Sequence, residues 1–306
     1  MGKTAFIFPG QGSQYVGMGK DFYEQIPLCA EVFALAQEAS GLPVARICFE
    51  PNEEIHVTKY TQIAMLAAEI AMLRALEQEG VRADAAAGLS LGEYGALAAA
   101  RAMSDRDLFA LVAKRGLYMQ EAVPTGGAMT AVLGLDGDAV EEVCRRVDGQ
   151  VSVANYNCPG QIVITGEAAA VEAAAQQLKE AGAKRCVPLQ VSGPFHSPML
   201  SGAGEKLEEE LAGAEVFDPA IPYVANVTAD YVTKKEEIKP LLARQVSASV
   251  RWQQTMERLI ADGVTTFVEI GPGRTLSGFL KKIDRNITCL HVEKVEDIAA
   301  VKEALA

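Results

Sequence analysis

Apolar positions in this chain alternate between short continuous runs and longer stretches with helical spacing. The run "TAFIF" at residues 4–8 ends at Pro9-Gly10 and predicts a buried strand with its turn. Residues 59–79 hold Ile63, Leu66, Ile70, Leu73 and Leu76 at helical spacing, and Gly80 stops the predicted helix. An Ala-rich run at 85–87 predicts a weak strand leading into Ser90. Residues 104–121 predict another helix, with Ser104 as its N-cap.

The rhythm changes in the middle. "MTAVLGL" reads as a strand, "DGDAVEEVCRRV" as a helix, and "VSVANYN" and "QIVITG" as two strands joined by Cys158-Pro159-Gly160. "EAAAVEAAAQQLKEAG" reads as a helix and "KRCVPLQV" as a last strand. This β-α-β-β-α-β order is the pattern of a ferredoxin-like unit. Loop residues Pro124-Thr125-Gly126-Gly127 and Ser192-Gly193-Pro194 bracket it. It is expected as a small subdomain, residues 126–193, inserted into a larger one formed by 1–125 and 194–306. Downstream, "IPYVANV", "TTFVEI" and "ITCLHVE" are strands alternating with helices, which predicts an α/β fold with a mostly parallel sheet.

At 306 residues the chain can bury a large core without disulfide or metal. A net charge of -12 argues against partners such as nucleic acid or an anionic membrane surface. No apolar run is long enough to span a bilayer. The six cysteines form no CxxC pair and there are three histidines, so no metal site is expected. Scattered cysteines read as reduced core residues of a cytoplasmic protein.

The candidate chemistry centres on "GLSLG" at residues 88–92. Gly88 and Gly92 flank Ser90 at the spacing of a nucleophile on a sharp strand-to-helix turn. A chance match in a Gly/Ala-rich stretch has the same appearance. The Leu91 N–H would sit at a helix N-terminus, where a developing oxyanion is favoured. "PGQGSQ" lacks the lysine of a phosphate loop and the third glycine of a dinucleotide turn. A glycine-rich loop after the first strand can instead supply a second oxyanion N–H, from Gln11.

A serine nucleophile needs a base. His56 lies in a polar loop and His291 in a strand. His196 lies in "SGPFHSP", between Pro194 and Pro198, where the chain re-enters the larger subdomain. A rigid junction loop suits a catalytic base, and equally a structural histidine. Arg115 falls on the apolar face of the 104–121 helix, with Leu108, Leu111, Val112 and Met119. A guanidinium there must find an anion. That anion is either a structural carboxylate or the carboxylate of a substrate, unless the side chain snorkels out to solvent.

Taken together, "FIFPGQGSQYVGMG", "GLSLGEY", "RGLYMQEAVP", "ANYNCPGQIVITG", "SGPFHSPM", "LLARQVSASVRW" and "VEIGPG" span nearly the whole chain. In this order they resemble the malonyl-CoA:acyl carrier protein transacylases, the S-malonyltransferases that load malonyl groups in type II fatty acid biosynthesis. The resemblance implies an α/β-hydrolase-like core with a ferredoxin-like insert. It implies Ser90 as nucleophile, His196 as base, Arg115 as the malonyl carboxylate clamp, and Gln11 and Leu91 as the oxyanion hole. It also implies that a main-chain carbonyl, that of Gln245, orients the histidine, so that the Gln245 side chain matters less. Met119, Asn157 and Ser197 match positions near the acyl and pantetheine site. Phe195, just before the histidine, fits malonyl better than a bulkier acyl group on steric grounds.

The substrates so implied are malonyl-CoA and phosphopantetheinylated acyl carrier protein, with no cofactor. Carrier protein is acidic, so local basic residues would have to receive it. Lys184-Arg185 and Lys281-Lys282-Arg285 are candidates, and each also reads as a solvated face. Rival readings are a serine thioesterase or other hydrolase, a polyketide-synthesis acyltransferase of the same family, and a non-catalytic carrier-binding module. A thioesterase would share Ser90 and His196 but need an Asp or Glu behind the histidine.

Overall fold

The computed structural model of the chain describes residues 2–191 and 193–305; Met1, Ala306 and Ser192 of the predicted boundary loop lie outside the described residues. The first stretch carries β1 (Lys3–Phe8), α1 (Lys20–Gln25), α2 (Pro27–Ser40), α3 (Val44–Phe49), α4 (Thr58–Gln78), β2 (Ala85–Gly88), α5 (Gly92–Ala99) and α6 (Asp105–Ala122). The middle stretch carries β3 (Gly127–Leu133), α7 (Gly137–Arg146), β4 (Val151–Cys158), β5 (Gln161–Glu167), α8 (Ala168–Glu180) and β6 (Arg185–Pro188). The last stretch begins with α9 (Ser201–Gly213), β7 (Tyr223–Val224), β8 (Tyr231–Val232) and α10 (Lys235–Gln245). It ends with α11 (Trp252–Ala261), β9 (Val264–Ile270), α12 (Thr275–Ile283), β10 (Thr288–Val292) and α13 (Asp297–Leu305).

One sheet has the order β10-β9-β1-β2-β7-β8. Its pairings are parallel except that between β7 and β8. Side chains along β1 alternate between the two faces, as strand geometry requires. Ala5 and Ile7 pack with Trp252, Met256 and Phe267 on one face. Phe6 and Phe8 join the helices of the first stretch on the other. The second sheet has the order β4-β5-β3-β6, antiparallel throughout, and packs Val132, Val153, Ile162 and Ile164 against α7 and α8. The second sheet is tied to the segment ahead of α11, where Tyr156 N–H donates to Val250 O at 2.9 Å and Val250 N–H to Ala154 O at 2.8 Å.

The element order follows the hydrophobic pattern, with three differences. The predicted strand at 221–227 shortens to β7, because Ala225 turns back to bond Asp230 and forms a hairpin with β8. The predicted strand at 184–191 shortens to β6, an edge strand whose last paired residue is Pro188, with Leu189 N–H still donating to Met129 O at 2.9 Å just beyond it. The helix predicted from one apolar stripe is α4, and it is buried on all sides from Thr61 to Leu76. It runs through the core between α2 and α6, so its polar residues Gln62 and Glu69 are buried too.

Loops that follow β1, β2, β7 and β9 open at the same carboxyl edge of the parallel sheet, the usual place for a ligand in such folds. Met129, Asn155, Asn157 and Val163 of the second sheet face the loops after β1 and β2 there.

Candidate active site

Ser90 stands between β2 and α5 with φ of 55°. A non-glycine residue held at positive φ is strained and needs support. Two side chains provide it. Asn226 Oδ1 accepts the Ser90 N–H at 2.6 Å, and Gln245 Nε2 donates to Ser90 O at 2.9 Å. Asn226 is itself fixed by donating from Nδ2 to Gly88 O at 2.6 Å. The flanking glycines have a steric purpose. A Cβ on Gly92 would strike Phe8 O, and one on Gly88 would strike the Gly92 main chain. The turn therefore closes only against β1 and itself with hydrogen at both positions.

His196 Nε2 lies 2.7 Å from Ser90 Oγ. Nδ1 of the same ring lies 2.9 Å from Gln245 O. A carbonyl only accepts, so Nδ1 carries the proton and Nε2 faces the serine as an acceptor. Burial pushes the His196 pKa down to about 4, and the nearby Arg115 guanidinium pushes the same way. His196 also has positive φ, 58°, in the loop that the flanking prolines stiffen. His56 ends a short exposed turn, and His291 lies in β10, where Nδ1 accepts from Arg274 Nε at 3.2 Å. Neither approaches Ser90.

Arg115 is 1% exposed. Its Nη2 lies 3.1 Å from Ser90 Oγ and 2.9 Å from Gln245 Oε1, and Nη1 lies 2.6 Å from Gln62 Oε1. The Tyr94 ring lies 5.6 Å from its Cζ. Among the described residues no carboxylate pairs with it, and its Nε has no acceptor. A structural ion pair and a side chain that snorkels to solvent, both open from sequence, are therefore absent among the described residues. The cation is held by neutral carbonyls directly under the serine hydroxyl.

A cleft of about 230 Å³ opens above these groups. Gln11, Leu91, Met119, Asn157 and Phe195 line it, together with Ser90 and His196. Neither the Gln11 nor the Leu91 N–H is taken by an acceptor among the described residues. The Asn157 Oδ1 is buried without a hydrogen-bond partner among the described residues. A larger groove between α2, α4, α6 and α9 contains none of these groups.

Two residues have contacts that were not expected. The Ser197 hydroxyl donates to Pro194 O at 2.7 Å and closes the histidine loop. It lies behind that loop and does not line the cleft. The Gln245 side chain, expected to matter less than its carbonyl, touches Arg115, Ser90 O and Glu93 together. Gln245 ends α10, which places its carbonyl and its side chain on the same buried centre.

Gln62, Glu93 and Asn226 belong to the site and were not singled out from sequence. Their signal was faint. Gln62 interrupts an apolar helix one position before Ile63, and Glu93 sits inside "GLSLGEY" itself. Among the described residues no group of three His, Cys, Asp or Glu side chains is placed to hold a metal ion, and no helix is long and apolar enough to cross a membrane.

Residues 5–299 match the family model described as the acyl transferase domain. A protein of Bacillus subtilis named malonyl CoA-acyl carrier protein transacylase is 46% identical over 100% of this chain and 98% of its own length. The crystal structure of a transacylase of the same kind (MCAT) from Streptococcus pneumoniae superposes with a TM-score of 0.95 at 46% identity, covering 99% of this chain and 100% of that one. A malonyl-transacylase solved in complex with its type II PKS acyl-carrier protein superposes equally, at 40% identity and 99% coverage of each chain.

Proposed function

The chain belongs to the acyl transferase domain family, and we propose that it moves a malonyl group from malonyl-CoA to the phosphopantetheine thiol of an acyl carrier protein, through an ester on Ser90. The observation that carries this reading is Arg115: a fully buried cation that forms no ion pair with a carboxylate among the described residues, 3.1 Å from the candidate nucleophile. A site for a neutral acyl group has no use for such a cation. An acyl group with its own free carboxylate supplies the missing anion and a bidentate partner.

The chemistry then runs in two balanced halves. Ser90 Oγ attacks the thioester carbonyl while His196 Nε2 takes its proton. The Gln11 and Leu91 N–H groups receive the oxyanion at the start of α5. The C–S bond breaks, His196 returns the proton to sulfur, and CoA leaves as the thiol. In the second half the carrier-protein thiol attacks the ester, again with His196 as base. Ser90 regains its proton and malonyl leaves as the new thioester. No metal or other cofactor takes part in this reading.

The thioesterase alternative is disfavoured by the neutral Gln245 carbonyl behind His196, where a hydrolase would carry an acid. The finer fold reading goes with the function. The antiparallel order of the second sheet supports a ferredoxin-like insert at 126–193 in an α/β-hydrolase-like core, 1–125 with 194–306. Six free cysteines suit a reducing, cytoplasmic setting. For the acidic carrier protein, exposed Lys184, Arg185, Lys281, Lys282 and Arg285 are the candidate contacts. Leu133 pairs with Arg185 on one side and Gln161 on the other, and Lys282 bonds Gln161, so both clusters border one end of the second sheet. Charge reversal that leaves the carrier-protein KM unchanged removes a cluster.

The test of the whole reading is intact mass after incubation with malonyl-CoA. The expected result is one malonyl adduct, absent in Ser90→Ala, stable in water and discharged by holo carrier protein. Rapid loss to water without a thiol acceptor overturns it in favour of a hydrolase.

A further inference from the structure

Glu93 is fully buried in the first turn of α5, directly below Ser90. Its Oε2 accepts from Gln245 Nε2 at 2.6 Å and from Asn226 N–H at 3.1 Å. Its Oε1 has no hydrogen-bond partner among the described residues. No lysine or arginine pairs with it among the described residues, and the transfer steps above do not use it.

Arg115 is linked to Glu93 by hydrogen bonds through the Gln245 side chain. A carboxamide has an acceptor end and a donor end that cannot be exchanged without turning the group over. Here Oε1 faces Arg115 Nη2, and Nε2 faces three acceptors: Glu93 Oε2 at 2.6 Å, Ser90 O at 2.9 Å and, at 3.4 Å, the Asn226 Oδ1 that already receives the Ser90 N–H. Ser90 O already receives the Glu93 N–H at 3.2 Å, so it is a shared acceptor. The Glu93 carboxylate is the acceptor that decides which end of Gln245 points inward. With the amide turned over, its NH2 would face the guanidinium and its oxygen would face the carboxylate, both repulsive. The second arm of Glu93 holds the Asn226 main chain, and Asn226 in turn holds the strained Ser90 amide.

We propose that Glu93 is a positioning residue that sets the orientation of the Gln245 amide, and thereby keeps the Arg115 guanidinium aimed at the acyl group on Ser90 and sets the preference for a carboxylate-bearing acyl group. This rests on the reading of Arg115 as the acyl clamp. Glu93 touches neither substrate nor nucleophile side chain, so its influence passes through Gln245 and Asn226. It follows that losing the acceptor harms malonyl transfer more than transfer of a neutral acyl group. Losing only the charge, with an acceptor oxygen kept, preserves the preference.

The experiment is competition between malonyl-CoA and acetyl-CoA for Ser90, read by intact mass in single-turnover conditions, for wild type, Glu93→Gln, Glu93→Met and Arg115→Ala. In Glu93→Met the malonyl:acetyl ratio is expected to fall about tenfold, the scale of one lost hydrogen bond to a charged group. In Glu93→Gln the ratio is expected to stay within about twofold, because the new side-chain oxygen still accepts from Gln245. If Glu93→Met does not fold, Gln245→Met cuts the same link from its other end and must show the same malonyl-specific loss. An unchanged ratio in the Met variant, or in its Gln245 substitute, overturns the proposal. So does a Glu93→Gln variant that loses the ratio as fully as Glu93→Met. If Arg115→Ala itself leaves the ratio unchanged, the clamp reading fails and this proposal with it. If Arg115→Ala collapses the ratio and Glu93→Met does not, this proposal fails alone.

Discussion

His196 and Gln245 meet through a main-chain carbonyl, with Nδ1 of the ring 2.9 Å from Gln245 O. A carbonyl orients the imidazole and selects its tautomer without adding a negative charge. The imidazolium therefore gains less than it would beside a carboxylate, while burial and Arg115 both oppose it. The site needs His196 neutral, and it is neutral down to about pH 4.

The first prediction concerns that titration. His196 is expected to protonate near pH 4, well below the ordinary histidine value of about 6.5. Base catalysis is present above that pH and is lost as pH falls through it. NMR titration of the His196 ring in the free enzyme checks this directly. Gln245→Ala keeps the main-chain carbonyl and should leave the midpoint low. A midpoint at 6 or above in the unmodified chain contradicts the buried position.

Arg115→Ala tests the clamp. Removing a bidentate, charge-assisted contact is expected to lower kcat/KM for malonyl-CoA by about 100-fold, taking 2–3 kcal/mol for the pair. Acetyl transfer should fall much less. Arg115→Lys should not rescue, because one ammonium cannot satisfy Gln62, Gln245 and an acyl carboxylate with the same fork. Equal losses for both acyl groups would remove the clamp assignment. Gln62→Leu, which takes away the Nη1 acceptor, should repeat the pattern more weakly.

Gly92→Ala tests the elbow. The added Cβ meets the Phe8 carbonyl of a central strand, a backbone atom with little room to retreat. Destabilisation of about 3 kcal/mol or more is expected by denaturant unfolding, at the severe end of single substitutions. A variant within 1 kcal/mol of wild type would mean that α5 can move off β1.

Glu93 has a stability signature of its own. Burial raises its pKa to about 7, against lowering contributions from Gln245, Asn226 and Arg115. The folded chain thus holds this proton more tightly than the unfolded chain between pH 4.5 and 7. The contribution is fully present below the unfolded value and is lost as pH rises through about 7. Glu93→Gln has no proton to lose. Its melting temperature relative to wild type should therefore rise between pH 4.5 and 7 and level off above. A difference that is flat with pH would show that Glu93 titrates normally in the fold.

Much of this site was legible in the chain. "GLSLG" after a short apolar strand specifies a turn that only glycine allows, because the clash is local and backbone to backbone. Arg115 betrayed itself by sitting on an apolar helix face, since a cation there must be explained. His196 was narrowed from three histidines by its two prolines. The order of strands and helices followed from hydrophobic periodicity, which reports which face of each element leaves water.

What stayed hidden depends on residues far apart in the chain. Ser90 and Gln245 are 155 positions apart, Arg115 and Gln245 130, and Glu93 and Asn226 133. Periodicity carries no information on which of these polar side chains face one another. That Arg115 rests on carbonyls and not on a carboxylate was open from sequence, because both outcomes satisfy a buried cation. That the Ser197 hydroxyl turns back on its own loop was equally open, because a hydroxyl bonds whichever acceptor folding brings near. Sequence by itself determined the elements, the serine turn and the presence of a cation on an apolar helix face. Tertiary structure decided which amide, carbonyl and carboxylate hold that cation under the serine, because hydrogen bonds are short-ranged and directional and exist only once the sheet and helices have packed.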